Sequence, residues 1–363
     1  AIEGDGSATL WWRPAGETGP WRSARFHINR AEPELIESLT ALPDGTLIGS
    51  VRQYNGWFRY DPAPNAHQYL GKAGPSRAKT CLLDGKLYYA GYPNATMSVY
   101  DPARPWALSD KPADPAANPR LIGSFGQTVT EAHYATVLLP GPNGRVYLVG
   151  KRERWSTGTG LGYYDTASAK RVGLGQDMKD FDARGAALLP ALGRIVISGR
   201  DRAEAGRFRL YDLDLKALEP ARLKPGVENT GLVQDIGHDT RVLGYIEADA
   251  GDVLYLFDLA KNEIVVWREL PKPPTVADDP GTGGWWAQIG GIRTRVAFRN
   301  PADGSWWMIR GNALYRLNPD TLDLTPVAAL SRSFELPLWV GGDIYGVLGG
   351  EVVKVAEAAR GGK

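Results

Sequence analysis

An apolar residue followed by Asp or Asn and a tight turn recurs along this chain, each time at the end of a short alternating strand. Tyr60-Asp61-Pro62 is followed by Tyr100-Asp101-Pro102, Tyr164-Asp165-Thr166, Tyr211-Asp212-Leu213, Phe257-Asp258-Leu259 and Leu317-Asn318-Pro319. A weaker seventh copy lies at Val355-Ala356. The polar positions are 40, 64, 47, 46 and 60 residues apart, then 38 to Ala356. Self-similarity at such a period marks a fold built from one repeated supersecondary unit.

Each copy has the same upstream neighbours. Turn signals leading into alternating strands precede it: "PDGTLIGSV", "LDGKLYYAG", "PNGRVYLVG", "LGRIVISG", "DTRVLGYI", "DGSWWMIR" and "GGDIYGVL". Another apolar segment lies before each turn, and a more polar strand such as "HQYLGK" or "EIVVWREL" follows the Asp. The unit is therefore four antiparallel strands. The Asp or Asn side chain is expected to cap the turn between the third and fourth. The apolar residue before it is expected to pack between neighbouring sheets.

Seven such units with little helical periodicity predict an all-β, seven-bladed β-propeller of four-stranded antiparallel blades. It forms one domain over 1–363, with blades at 33–73, 74–125, 126–176, 177–225, 226–271, 285–331 and 332–363 plus 8–27. The last unit stops after its third strand. A strand from the N-terminus is therefore expected to complete it and to hide its edge.

Composition excludes several classes. Lys and Arg number 42 against 41 Asp and Glu, so the formal net charge is +1 and no nucleic-acid partner is indicated. No run of about 18 apolar residues marks a membrane span. One cysteine, Cys81, cannot form an internal disulfide and reads as a small buried hydrophobe. Four histidines in different units argue against a multi-histidine metal site. No metal or organic cofactor motif is evident, and a channel-bound ion is compatible with the pattern. The first residues, "AIEGDG", lack Met and suggest a processed form or a piece of a larger chain.

The seven units resemble the broad seven-bladed propeller superfamily, including kelch-like and quinoprotein-like repeats and the propellers of polysaccharide lyases. The likeness is architectural. No Trp-Asp dipeptide, double-glycine signature or lyase motif carries catalytic residues across, and fold alone does not give function.

Chemistry is expected where the first strands of the units line a central channel and their leading loops open at one mouth. Aligning the units on the apolar pair before the turn places Glu37, Arg77, His133, Arg184, Thr230, Arg293 and Glu335 at equivalent positions. Arginine suits a carboxylate or phosphate, which it holds with parallel hydrogen bonds. Tyr134 adds a phenol beside His133. Tyr92, Trp155 and Trp285 are candidate stacking surfaces for sugar rings. This pattern predicts recognition of an anionic, uronate-containing oligosaccharide or polysaccharide, by a monomer with an extracellular or periplasmic location. Polysaccharide-lyase chemistry is the leading enzymatic reading. In it an Arg neutralises the substrate carboxylate while His133 and Tyr134 act as base and acid. The alternative is a non-catalytic propeller module of a larger protein that binds a protein or ligand through the same face.

Overall fold

The computed structural model describes residues 7–12, 22–27, 35–51, 56–109, 111, 114–152, 158–247, 251–272, 296–331, 333–348 and 350–355. Seven antiparallel sheets follow one another along the chain, and strands consecutive in sequence are neighbours within each sheet. The innermost strands are Ile36–Ala41, Ser76–Leu83, Tyr134–Pro140, Phe181–Leu189, Leu232–Asp235, Phe298–Arg299 and Glu335–Val340. They begin blades 1 to 7 in that order. Blades 1 to 6 have four strands each.

The ring is held by apolar clusters between blades rather than within them. In blade 2 the second strand turns Tyr88 toward blade 3 and Tyr89 toward blade 1, as the two-residue period of a strand requires. Trp57 lies at the interface of blades 1 and 2, wholly buried, with its indole N–H donating to Ala73 O at 2.8 Å. A cluster of Ile36, Leu39 and Leu47 with Leu338, Tyr345 and Val347 joins blade 7 to blade 1 and closes the circle. A flat sandwich has no such contact between its first and last units.

The recurrent tripeptide now has a physical account. Tyr100, Tyr164, Tyr211, Phe257, Leu317 and Val355 each lie in the cluster shared with the preceding blade. Tyr60 meets Tyr345 of blade 7 in the same way, with ring centroids 6.3 Å apart. The side chain that follows caps the turn. Asp61 Oδ1 accepts from Ala63 N–H at 3.1 Å, Asp101 Oδ1 from Ala103 at 3.0 Å and Asp212 Oδ1 from Asp214 at 2.9 Å. Asn318 Oδ1 does the same for Asp320 N–H at 2.9 Å.

Among the described residues blade 7 contains three strands, Glu335–Val340, Asp343–Leu348 and Glu351–Val355, and the expected fourth strand from the N-terminal segment is not among them. Ser7–Trp12 and Arg22–His27 pair instead with each other, in register from Ser7 opposite His27 to Trp12 opposite Arg22.

Cys81 is buried between blades 2 and 3, a small apolar residue as expected. Trp306 and Trp307 alternate, the first against the cluster of blades 5 and 6, the second within that of blades 6 and 7.

Candidate functional site

The described inner strands of blades 1, 2, 3, 4 and 7 share an irregularity at their leading ends. The register shifts between Ile36 and Ser38, between Ser76 and Lys79, between Ala135 and Val137, between Ala183 and Gly185, and between Glu335 and Leu338. A bulge of this kind twists the strand and re-aims the side chain at the extra residue. Glu37, Arg77 and Arg184 occupy such places on blades 1, 2 and 4. Arg77 has a left-handed backbone, φ +53°.

The partner strand accommodates each bulge with a glycine. A Cβ on Gly91 would come within 2.2 Å of Ser76 O, and one on Gly199 within 2.1 Å of Asp182 O. These glycines, in "AGYP" and "SGRD", are the sequence signal that locates the bulges. Aligned on the bulge, Thr136 rather than His133 is the counterpart of Arg77, and His133 lies farther out toward the mouth.

Blades 2 and 3 build a connected part of the mouth. After Tyr92 the hairpin of blade 2 turns through Pro93, Asn94 and Ala95, the last two with φ +59° and +44°. Its tip is fastened to blade 3, because Ala95 N–H donates to His133 O at 3.1 Å. His133 N–H donates in turn to Lys151 O at 2.7 Å. These bonds bring three aromatic rings together. Tyr92 stacks on Tyr134 with centroids 5.1 Å apart and planes 19° apart. It also meets His133 edge-on at 4.8 Å. The Arg77 guanidinium lies over the Tyr134 ring at 5.4 Å from its centre. Arg77, Tyr134, Tyr92 and His133 thus form one continuous run, from four of the positions singled out in the sequence. His133 Nδ1 lies 3.3 Å from Asn94 Oδ1. With the carbonyl oxygen accepting, Nδ1 carries the proton and the Nε2 lone pair is the basic one.

Below this run the channel is strongly coupled electrostatically. Lys79, on the inner strand of blade 2, is within reach of Glu37 of blade 1, Glu335 of blade 7 and Arg77. Burial pushes its amine below the usual lysine range; the repulsion of Arg77 adds to this, and the two carboxylates only partly oppose it. Lys79 is half-buried and lines the channel lumen. Glu37 is 9% exposed. Lys79 was not among the residues picked from sequence.

The other positions are placed differently. Arg184 is exposed in the blade 4 bulge. Thr230 is fully buried, its hydroxyl accepting from Gly199 N–H at 2.7 Å, so it ties blade 4 to blade 5 and does not face the mouth. Arg293, Trp155 and Trp285 lie outside the described residues.

Comparison with known proteins adds architecture. No family model matches the sequence, and no curated protein matches it. Among solved structures, the hydrazine synthase of Kuenenia stuttgartiensis is similar at TM-score 0.59 with 11% identity, over 92% of this chain and 98% of that one. A streptogramin B lyase is similar at TM-score 0.57 with 10% identity, over 96% and 97%. The WD40 repeats of RRP9 are similar at TM-score 0.56 with 11% identity, over 89% of each. The chain is a seven-bladed β-propeller. At these identities the likeness shows the fold alone, and proteins of different kinds share it.

Proposed function

We propose that the channel mouth over blades 7, 1, 2 and 3 binds an anionic, uronate-containing glycan. The observation that carries this reading is the run from Arg77 through Tyr134 and Tyr92 to His133. Arg77 supplies a planar cation for a carboxylate. Tyr92, 38% exposed, supplies a ring face beside it on which a sugar can stack. An extracellular or periplasmic setting, where such glycans occur, goes with this reading.

The same run holds the groups of a β-elimination. Arg77 neutralises the carboxylate and acidifies the neighbouring C–H. His133 Nε2 takes that proton, the C–H electron pair becomes the new C=C bond, and the Tyr134 hydroxyl gives its proton to the departing glycosidic oxygen.

Affinity for uronic-acid oligosaccharides and for their carboxyl-reduced counterparts, measured by calorimetry, tests the binding. Arg77→Ala is expected to weaken the acidic ligands by about 1.5–3 kcal/mol, the worth of a hydrogen bond to a charged group, and the neutral ones little. Tyr92→Ala is expected to weaken both by about 1 kcal/mol. Equal affinity for acidic and reduced glycans removes the reading. Ultraviolet absorbance of unsaturated uronides, absent in His133→Ala and Tyr134→Phe, identifies a lyase. Binding without that absorbance identifies a non-catalytic module.

A further inference from the structure

The inner strands of all seven blades enclose a cavity of about 640 Å³. Its walls are mainly apolar, and Lys79 stands among them with Glu37 and Glu335 on the two preceding blades around the ring. A lysine enclosed in an apolar cavity beside a second cation is the setting in which an amine becomes a nucleophile toward carbonyl carbon. The cation here is Arg77, two positions away across the bulge.

We infer that Lys79 is a covalent carbonyl-binding site for a small oxo acid. The ligand carboxylate lies at the Arg77 guanidinium and its aldehyde or ketone carbon at the Lys79 amine. This site does not depend on glycan binding at the mouth, although both proposals use Arg77.

The chemistry is imine formation. The neutral Lys79 amine adds its lone pair to the carbonyl carbon, and the carbonyl π pair moves to oxygen. The excess proton on nitrogen passes to that oxygen to give a carbinolamine. The carboxylate of Glu37 or Glu335 relays a proton from solvent to the hydroxyl, the C–O bond breaks, and water leaves. The nitrogen lone pair closes the C=N bond, leaving a protonated imine beside a carboxylate. Burial also favours the first step, since it holds more of the amine neutral near pH 7 than an exposed lysine has.

The probe is glyoxylate with cyanoborohydride at neutral pH, on the intact chain, read by peptide mass spectrometry. Hydride reduction of the imine leaves a carboxymethyl group on the modified lysine. The peptide containing Lys79 is expected to gain this group faster, by about tenfold or more, than that of the exposed Lys170. Both lysines report from the same folded molecule, so a variant that fails to fold does not enter the comparison. Arg77→Ala is expected to slow labelling by glyoxylate and to leave labelling by propanal, which has no carboxylate, unchanged. Labelling of Lys79 no faster than Lys170 overturns the site. An Arg77→Ala variant that labels with glyoxylate as fast as the unaltered chain overturns its preference for an oxo acid. No glycan enters the assay, so the two proposals fail separately.

Discussion

Replacing Asp258 separates the two roles its carboxylate can play, hydrogen-bond acceptor and negative charge. In the structure Oδ1 accepts from Ala260 N–H at 3.0 Å and from Lys261 N–H at 3.3 Å. Oδ2 lies 3.5 Å from Arg241 Nε, and the side chain is only 4% exposed. Burial pushes this carboxyl up, but the backbone N–H groups of Lys261 and Ala260, with Thr240 and Arg241, more than reverse it and hold it below the usual range. Asp258→Ala removes all of these acceptors. Two backbone hydrogen bonds at about 1 kcal/mol each, with about 0.5 kcal/mol for the half-open pair with Arg241, give a loss of about 2.5 kcal/mol. Asp258→Asn keeps an oxygen for both N–H groups and is expected to lose about 0.5–1 kcal/mol. Blade 6 already uses that solution, since Asn318 Oδ1 accepts from Asp320 at 2.9 Å and Thr321 at 3.2 Å. Guanidinium unfolding followed by tryptophan fluorescence, with hydrogen exchange at residues 260 and 261, measures both variants. Should Asn cost as much as Ala, the turn depends on charge and the acceptor argument fails.

Two further outcomes follow from the same geometry. Gly244→Ala places a Cβ 1.8 Å from Tyr255 Cζ, and Tyr255 is wholly buried with its hydroxyl donating to Thr230 O at 2.5 Å. The ring has nowhere to go, so a loss of about 3 kcal/mol is expected in the same unfolding assay, at the upper end of overpacking; a loss below about 1 kcal/mol shows that blades 4 and 5 separate easily. Acid sensitivity is set by turn carboxylates such as Asp165 and Asp258, held low by the N–H groups they accept from. A depressed folded pKa adds stability above the unfolded value of 3.8 and loses it as pH falls through the folded one. The melting temperature is expected to drop below that pH, and less steeply in an Asp165→Asn, Asp258→Asn double variant; an unchanged acid limb refutes the assignment.

Much of the architecture was legible because its rules are local. An Asp or Asn in a turn acts within three or four residues, and an apolar residue two along a strand faces the same side, so Tyr60-Asp61-Pro62 and its copies announced both turn and interface. The mouth was legible only in part. Alignment on the apolar pair picked Arg77 and His133, with Tyr134 beside it, and the hairpin aromatics supplied Tyr92; the structure brings these four together. The alignment misjudged Thr230 and overlooked Lys79. Thr230 is diverted by Gly199 of the neighbouring blade. Lys79 takes its character from Glu37 and Glu335, distant in sequence.

The sequence by itself determined the repeated four-stranded unit, its turns and the apolar faces that must be covered, since these follow from a two-residue period and from side chains bonding their own backbone. Only the tertiary structure decided which side chains the bulges turn to the mouth, and that Lys79 lies near carboxylates from two other blades. Those are properties of ring closure. Closure sets charges from far-apart residues into one poorly hydrated space, and the field there depends on neighbours that no single stretch of chain contains.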